Sequence, residues 1–494
     1  MARPDKRTRL TLPHQPPPKR PPGDRLADFC EVTLPYTPEQ AVAEASRCVE
    51  CVKAPCVQAC PLHNPIREWL TLTAEGRFLE AAHLSRTTNP MPEICGRICP
   101  QDRLCEGACI VGVKHEPVAI GAIERFINDY AMEVEGLPLP PTPPATGYRV
   151  AVVGAGPAGL ACAGSLVQRG HHVTVYDAHP APGGLLRYGI PAFKLEKAVV
   201  DRRVRYLEAL GVEFVCGVRV GDDVRLDELR EAGYHAIFLA PGATTPKRAH
   251  IPGEELDGVV DALPFLIRNA MESPHPTAPD DLRGRRVVVL GGGDTAMDCV
   301  RTARRLGAVS VTCVYRRDEE NMPGSRREVQ AAKDEGVTFR WLAAPVRFLD
   351  DGTGRVCGIE CVAMRLGAPD ANGRRRPEPV PDSTFVVDAD LVILAFGFDG
   401  SPVPADDGPA RTPWQTYEVN DDLATTVPGV FAGGDAIRGP DLVVTALRDG
   451  LRAAEAIDRY LRGAGMDPTA AMLAERSRRP SLLLDAPGQG RSSP

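Results

Sequence analysis

Apolar and polar positions divide the chain into a helical first part and a strand–helix alternation behind it. Glu39-Gln-Ala-Val-Ala-Glu-Ala45 strings helix formers together without a breaker. From Ile66 to Leu84 the apolar residues Trp69, Leu70, Leu72, Phe78, Leu79 and Leu84 recur at helical intervals, and Gly76 splits them into two short helices. Leu137-Pro-Leu-Pro-Pro-Thr-Pro-Pro-Ala-Thr-Gly147 then interrupts all periodicity as a semi-rigid linker, the clearest domain boundary. Behind it the period changes. Arg149-Val-Ala-Val-Val153 reads as a buried strand, with a helix to about Arg169 and a second strand from His172 to Asp177. The same pattern returns at Arg286-Val-Val-Val-Leu290, with a helix to Leu306 and a strand from Ser310 to Tyr315. A last short strand, Gly429-Val-Phe-Ala-Gly-Gly-Asp435, precedes a helix from about Val443 to Leu461. Such alternation predicts an α/β fold with parallel sheets behind an N-terminal helical domain.

Composition narrows the class of protein. Across 494 residues, 43% are hydrophobic and 25% charged, which excludes a disordered or collagen-like chain. The 58 Lys and Arg against 65 Asp and Glu leave a net charge of −7, with no basic field to attract nucleic acid. Between Met1 and Arg25 stand seven prolines and seven basic residues, so residues 1–35 are expected to form a disordered tail. A second tail is expected over residues 476–494. No apolar run resembles a secretion signal. The longest uncharged stretch, Val150 to Val167, is too rich in glycine for a membrane span and reads as strand into helix. A cytoplasmic protein with reduced thiols is the expectation.

The turns after the two repeated strands carry recognisable chemistry. Gly154-Ala-Gly156-Pro157-Ala-Gly159 follows a strand, opens a helix, and is matched by an acid, Asp177, at the end of the next strand. Gly154 allows the tight turn, Gly156 lets the backbone approach a pyrophosphate, and Gly159 lets helix and strand pack. The helix N-terminus then meets the phosphates, and Asp177 a ribose hydroxyl. In the second copy, Gly291-Gly-Gly293-Asp294-Thr295-Ala296 fits the same pattern with alanine at the third position. Its second strand ends in Tyr315-Arg316-Arg317 rather than in an acid, and two guanidiniums suit a 2′-phosphate, hence NADPH over NADH. Two such Rossmann-like units, with the Gly434-Asp435 strand returning to the first, point to a flavoprotein that binds FAD and NADPH, the NADPH domain inserted in the FAD domain. Many such enzymes reduce disulfides through Cys-x-x-Cys. Downstream of the linker no cysteines have that spacing, so electrons must leave the flavin otherwise.

Nine of fifteen cysteines fall within the first 109 residues. Cys48, Cys51, Cys56 and Cys60-Pro form one run, and Cys95, Cys99-Pro, Cys105 and Cys109 a second. Thiolates so crowded, with proline after Cys60 and Cys99, are similar to the runs of bacterial ferredoxins, and two [4Fe–4S] clusters need the eight ligands present. Structural zinc also takes four thiolates, but it favours paired Cys-x2-Cys knuckles and only Cys48 and Cys51 have that spacing. Cys30, outside both runs, reads as an ordinary thiol.

These residues resemble one family, the small, NADPH-oxidising subunit of bacterial glutamate synthase. The resemblance runs from about Asp28 to Leu461, through Glu93-Ile-Cys-Gly-Arg-Ile-Cys-Pro-Gln-Asp-Arg-Leu-Cys-Glu-Gly-Ala-Cys109, Pro182-Gly-Gly-Leu-Leu-Arg-Tyr-Gly-Ile-Pro-Ala-Phe-Lys-Leu-Glu196 and Tyr315-Arg-Arg-Asp-Glu-Glu-Asn-Met-Pro-Gly-Ser-Arg-Arg-Glu328. The cysteine-rich module also resembles the N-terminal part of dihydropyrimidine dehydrogenase. The resemblance implies that Cys48, Cys51, Cys56 and Cys109 hold one cluster and Cys60, Cys99 and Cys105 the other. For the fourth ligand of the second it implies Glu124, whereas ferredoxin-like counting prefers Cys95. It further implies that Gly183-Gly184-Leu185 packs beside the flavin ring and that Asp435 bonds the ribityl–phosphate region.

The expected organisation is a helical iron–sulfur domain over 36–136, a linker over 137–147, an FAD domain over 148–255 and 385–475, and an NADPH domain over 256–384. The expected function is the electron-input subunit of glutamate synthase, a hetero-oligomer. Its partner is an FMN-containing large subunit, which makes glutamate from glutamine and 2-oxoglutarate. The rival readings are an NADPH:ferredoxin oxidoreductase or the input subunit of another enzyme, and a non-catalytic scaffold with zinc. Hydride passes between cofactors, so no side-chain acid or base is named.

Overall fold

The computed structural model describes residues 5–271, 281–369 and 375–463. The expected tail over 476–494 lies outside them. In the helical module, Ile66–Ala74 and Phe78–Arg86 are separate helices, and the chain reverses at Gly76 with a φ of 77°. They pack with Pro38–Ala45 and Ile120–Glu135 around Trp69, Ile123 and Phe126, all buried. Thr37 caps the first of these in a capping box with Gln40.

Residues 137–147 carry neither helix nor strand. The linker is packed down rather than free: a Cβ on Gly170 would stand 2.1 Å from the Pro144 carbonyl oxygen. Two parallel five-stranded sheets follow. The first runs Val430–Ala432, Ala236–Leu239, Arg149–Val153, His172–Asp177, Glu213–Cys216. Helices Pro157–Val167 and Val443–Gly463 lie against it in close contact, for a Cβ on Gly450 would meet the Ala158 oxygen at 2.2 Å. Small residues on that face bring the helix backbones together.

The second sheet runs Val259–Asp261, Leu391–Leu394, Arg286–Leu290, Ser310–Tyr315, Thr338–Trp341. An antiparallel sheet of three strands, Ala343–Asp350, Val356–Pro369 and Arg375–Asp388, shares a core with it. Here the expected boundaries at 255 and 385 are corrected. Leu391–Leu394 pairs in parallel with Arg286–Leu290, so the inserted domain keeps the chain beyond 385. The crossings are marked by Thr245–Pro246, which pairs antiparallel with Phe398–Asp399. Leu391-Val-Ile-Leu394 is fully apolar, as a strand buried on both faces must be, and sequence alone does not say which sheet it joins.

The expected disordered tail over 1–35 is also corrected for its described residues. Lys6–Thr11 is a helix capped by Asp5, and Val32 and Arg9 are buried. Glu31 explains the docking: it takes Arg97 at 2.8 Å and Arg125 at 2.6 Å, two arginines of the helical module. Prolines there stiffen a packed segment instead of loosening it.

A buried charge set organises the inserted domain. Glu335, 1% exposed, accepts from Arg301 at 2.8 Å and from Arg305 at 2.7 Å. Removing one partner of such a set leaves uncompensated charge. Glu335→Gln is expected to cost about 3 kcal/mol in urea unfolding followed by circular dichroism; a loss below about 1 kcal/mol would place the set in water.

Candidate functional site

The first glycine turn and the helix start that follows the second, at Asp294 and Thr295, line one cavity of about 1050 Å³ that also touches the Cys99-Pro100-Gln101 turn of the helical module. At the first turn Gly154 has a φ of 104°, and a Cβ there would lie 2.2 Å from the Ala240 oxygen. Gly159 is as tight, with 1.9 Å to the Gly154 oxygen, while a Cβ on Gly156 would meet nothing within 4 Å. The outer glycines therefore build the turn, and Gly156 leaves an open face on the cavity. Pro157 is the first residue of its helix, where its missing N–H costs nothing. Asp177 lines the cavity with both oxygens engaged, accepting from Ala155 N at 2.7 Å and His179 N at 2.8 Å. A carboxylate has lone pairs left beyond these two bonds.

Gly183 and Gly184 both have positive φ, 131° and 51°. A Cβ on Gly184 would stand 2.7 Å from the Gly156 Cα, so the two loops touch beside the open face of the turn. Leu185 begins the short helix Leu185–Tyr188 and lines the cavity. From the far side come Gly434 and Asp435. Gly434 N donates to Asp449 Oδ2 at 3.0 Å, and Asp435 Oδ1 accepts from Asp441 N at 3.3 Å. Asp449, wholly buried mid-helix, is a positioning residue that sequence reasoning missed; its charge amid an apolar helix face was the available signal. Burial pushes the Asp435 carboxyl up to about 7.

The second turn repeats the construction. Gly291 has a φ of 145° with a prospective Cβ 2.3 Å from the Ala395 oxygen, and Gly293, like Gly156, faces open space. Helix Asp294–Arg305 starts there, with Asp294 and Thr295 on the cavity and Ala296 buried. Asp294 Oδ1 accepts from Ser325 N at 2.8 Å. Arg316 and Arg317 stand beyond the strand Ser310–Tyr315 and outside the cavity lining. Arg316 is exposed, and the Arg317 Nε is buried without a hydrogen bond among the described residues. An unsatisfied buried donor awaits an acceptor.

The cysteines gather in two sets. Burial, then the neighbouring Cys48, Cys109 and Cys51, push the Cys56 thiol up to about 12. Burial pushes Cys60 up to about 11, with Glu124 and Cys95 adding to it. A hydrogen bond that the Cys99 thiol donates to Cys95, then burial, raises Cys99; burial, Glu106, Glu124 and Cys60 raise Cys105. Thiols that raise one another in this way become thiolates when a cationic centre offsets their charge, which fits cluster ligation. No disulfide joins any of them, and among the described residues no three His, Cys, Asp or Glu are placed to share a single metal ion. Glu124 is half-buried, and desolvation pushes its carboxyl up to about 8. Asn89, unforeseen in sequence, joins it to Cys95: its Nδ2 donates to Glu124 Oε1 at 3.1 Å and its Oδ1 accepts from Cys95 Sγ at 3.7 Å.

The geometry makes two predictions. Gly184→Ala drives a methyl into the Gly156 backbone, so the variant is expected to purify with most of its FAD lost, read from its visible absorbance; full occupancy would contradict the close approach. Asp435 keeps its proton in the fold at a pH where the unfolded chain has released it, so stability falls as pH rises from about 4 through about 7. In the apoprotein, Asp435→Asn is expected to flatten that fall in denaturation curves taken across the window, and an unchanged slope would contradict it.

Comparison with known proteins agrees with the three-part architecture. Residues 25–136 match the family model "dihydropyrimidine dehydrogenase domain II, 4Fe-4S cluster", and residues 148–450 match "pyridine nucleotide-disulphide oxidoreductase". The glutamate synthase [NADPH] small chain of Escherichia coli is 47% identical, over 90% of this chain and 96% of that one. The NADPH-Fe(3+) oxidoreductase subunit beta of Geobacter sulfurreducens is 38% identical, over 89% of this chain and 68% of that one. In fold, Mycobacterium tuberculosis FprA in complex with NADPH superposes with a TM-score of 0.56 at 22% identity, over 66% of this chain and 89% of that one. The chain belongs to the family of the glutamate synthase [NADPH] small chain and is an NADPH-dependent flavoprotein oxidoreductase with an iron–sulfur domain.

Proposed function

We propose that this protein is the electron-input subunit of a glutamate synthase. The observation that carries the reading is one cavity lined by the first glycine turn, by Asp294 and Thr295 of the second motif, and by Cys99. When bound, FAD accepts a hydride from NADPH and releases electrons singly to [4Fe–4S] clusters. The residues divide the work of holding these groups. Gly154, Gly156, Pro157 and Gly159 cradle the FAD pyrophosphate, Asp177 bonds a ribose hydroxyl, Gly183, Gly184 and Leu185 border the flavin, and Gly434 with Asp435 bonds the ribityl–phosphate region. The N-terminus of Val443–Gly463, beside Asp435, directs its positive end at the flavin and favours its anionic reduced form. Gly291, Gly293, Asp294, Thr295 and Ala296 hold the NADPH pyrophosphate, with Arg316 and Arg317 on the 2′-phosphate.

Cys48, Cys51, Cys56 and Cys109 hold one cluster; Cys60, Cys99, Cys105 and Glu124 hold the other. In favour of Glu124 is a partly desolvated carboxyl whose side chain has a single hydrogen-bond partner, Asn89, among the described residues. Cys95 then serves as a neighbour. Cys99 reaches the cavity, and the first set lies by the surface, where Val52 and Val113 are 87% and 75% exposed. Electrons leave there for an FMN-carrying large subunit, the partner in a cytoplasmic hetero-oligomer, which makes glutamate from glutamine and 2-oxoglutarate. No helix of the described residues is long and apolar enough to cross a membrane.

Identity favours this reading over that of the iron(III)-linked relative: the Escherichia coli small chain is 47% identical and the Geobacter subunit 38%. Two variants test it in anaerobically purified protein. Cys51→Ala is expected to leave flavin bleaching by NADPH intact and to cut glutamate formation with the large subunit at least about tenfold, a barrier change of about 1.4 kcal/mol; undiminished glutamate would refute the exit route. Glu124→Ala is expected to lose about half of the bound iron while Cys95→Ala keeps it, and the reverse pattern would make Cys95 the ligand.

A further inference from the structure

The segment that composition marks as a tail is a strap across all three domains. Gln15 N donates to Glu44 Oε2 at 2.7 Å in the helical module, Arg25 pairs with Asp334 of the inserted domain at 3.6 Å, and Val32 N donates to Phe193 O of the first nucleotide domain at 2.9 Å. Between these anchors Lys19 lines the cavity at the edge occupied by Arg327 and Glu328. Its ammonium donates no hydrogen bond and forms no ion pair among the described residues.

The groups facing Lys19 are Arg25, Arg327, Asp334 and Glu328. Each is committed elsewhere. Glu328 is bonded to Arg301 at 2.6 Å and lies 3.6 Å from Lys194, Asp334 faces Arg25, and Arg327 donates to Gln101 Oε1 at 3.1 Å and pairs with Glu106. Lys19 is thus a surplus cation on a cavity wall, exposed to solvent, with partial desolvation lowering its affinity for its proton.

What it faces is anionic in use. Ser325, two residues before Arg327, ties this edge to Asp294 at the start of the nucleotide helix. Gly293 beside it has an open face where phosphates can approach the helix N–H groups. The acid at that spot is offset, since Arg103 of the iron–sulfur module reaches Asp294 Oδ2 at 3.4 Å and donates to Pro323 O at 3.1 Å.

We propose that Lys19, carried by the N-terminal strap, is a phosphate-binding residue of the nicotinamide-nucleotide site. The proposal rests on the reading of Gly291–Ala296 as that site. A charge-assisted contact from a partly desolvated ammonium strengthens phosphate binding about tenfold. It also makes the nucleotide site a composite of three parts of the chain, so that a bound nucleotide fastens the strap.

The test uses full-length holoenzyme, titrating NADP+ against the flavin absorbance at low and high salt, with NADPH steady-state kinetics on ferricyanide. Lys19→Ala is expected to raise the NADP+ dissociation constant and the NADPH KM about tenfold, with the rise in KM exceeding any fall in kcat. Its binding should depend less on salt, and Lys19→Arg should recover most of the affinity. Lys6→Ala, on the exposed first turn of the strap, is the control. Gly293→Val, which fills the open face, separates the two layers of the argument. If it weakens NADP+ while Lys19→Ala stays within about twofold of the parent, the nucleotide site stands and the Lys19 proposal is overturned. If neither variant moves the dissociation constant, the nucleotide site reading fails and the proposal falls with it.

Discussion

The placement of the domains around one cavity depends on how Phe193 and Lys194 wedge into the inserted domain. Phe193, 1% exposed, lies under the guanidiniums of Arg301 and Arg305 at 4.5 and 4.0 Å from its ring centre. Lys194 beside it reaches Asp298 at 2.8 Å and Glu328 at 3.6 Å. A loop of the first nucleotide domain thereby grips the helix that starts at the second glycine turn. Cation–π contacts in a desolvated setting contribute about 2 kcal/mol each. Burial opposes the charge on Lys194, yet Asp298 and Glu328 keep it protonated above its ordinary range. Hydride transfer demands a fixed ring-to-ring distance, and this interlock holds the helix after the second glycine turn against the first nucleotide domain.

The same loop carries the strap. Val32 bonds the Phe193 carbonyl, and Glu31 holds both Glu196 N and the arginines of the helical module. First glycine turn, second glycine turn and cysteine module are therefore mutually braced rather than strung on a flexible chain. Gln101 extends the bracing inward: its Nε2 donates to Gly96 O at 3.2 Å, within the helix that carries Cys95, while its Oε1 accepts from Arg327. Cys99, next to this turn, stands at the cavity wall, so the cysteine sets begin where the flavin loops end.

How much of this was legible in the sequence follows from the range of each interaction. The glycine turns were readable because the close approach of Gly154 to Ala240 and of Gly291 to Ala395 leaves no room for a side chain. The cysteine runs were readable because their thiols already stand close together along the chain. The strap was not. Arg9, Glu31 and Val32 find their partners far along the chain, and a proline-rich, basic composition says nothing about distant partners. The strand Leu391–Leu394 was assigned to the wrong domain for the same reason, since an apolar run fits either parallel sheet. Asn89 and Asp449 matter through the side chain or backbone each positions, and no local spacing marks them.

The most direct measurement follows anaerobic NADPH oxidation by the protein with the large subunit, glutamine and 2-oxoglutarate added singly and together. The account predicts sustained oxidation, with glutamate formed, only when all three are present. Sustained oxidation that ignores them and follows added ferredoxin instead would leave the fold and cofactor sites standing and contradict the assigned role.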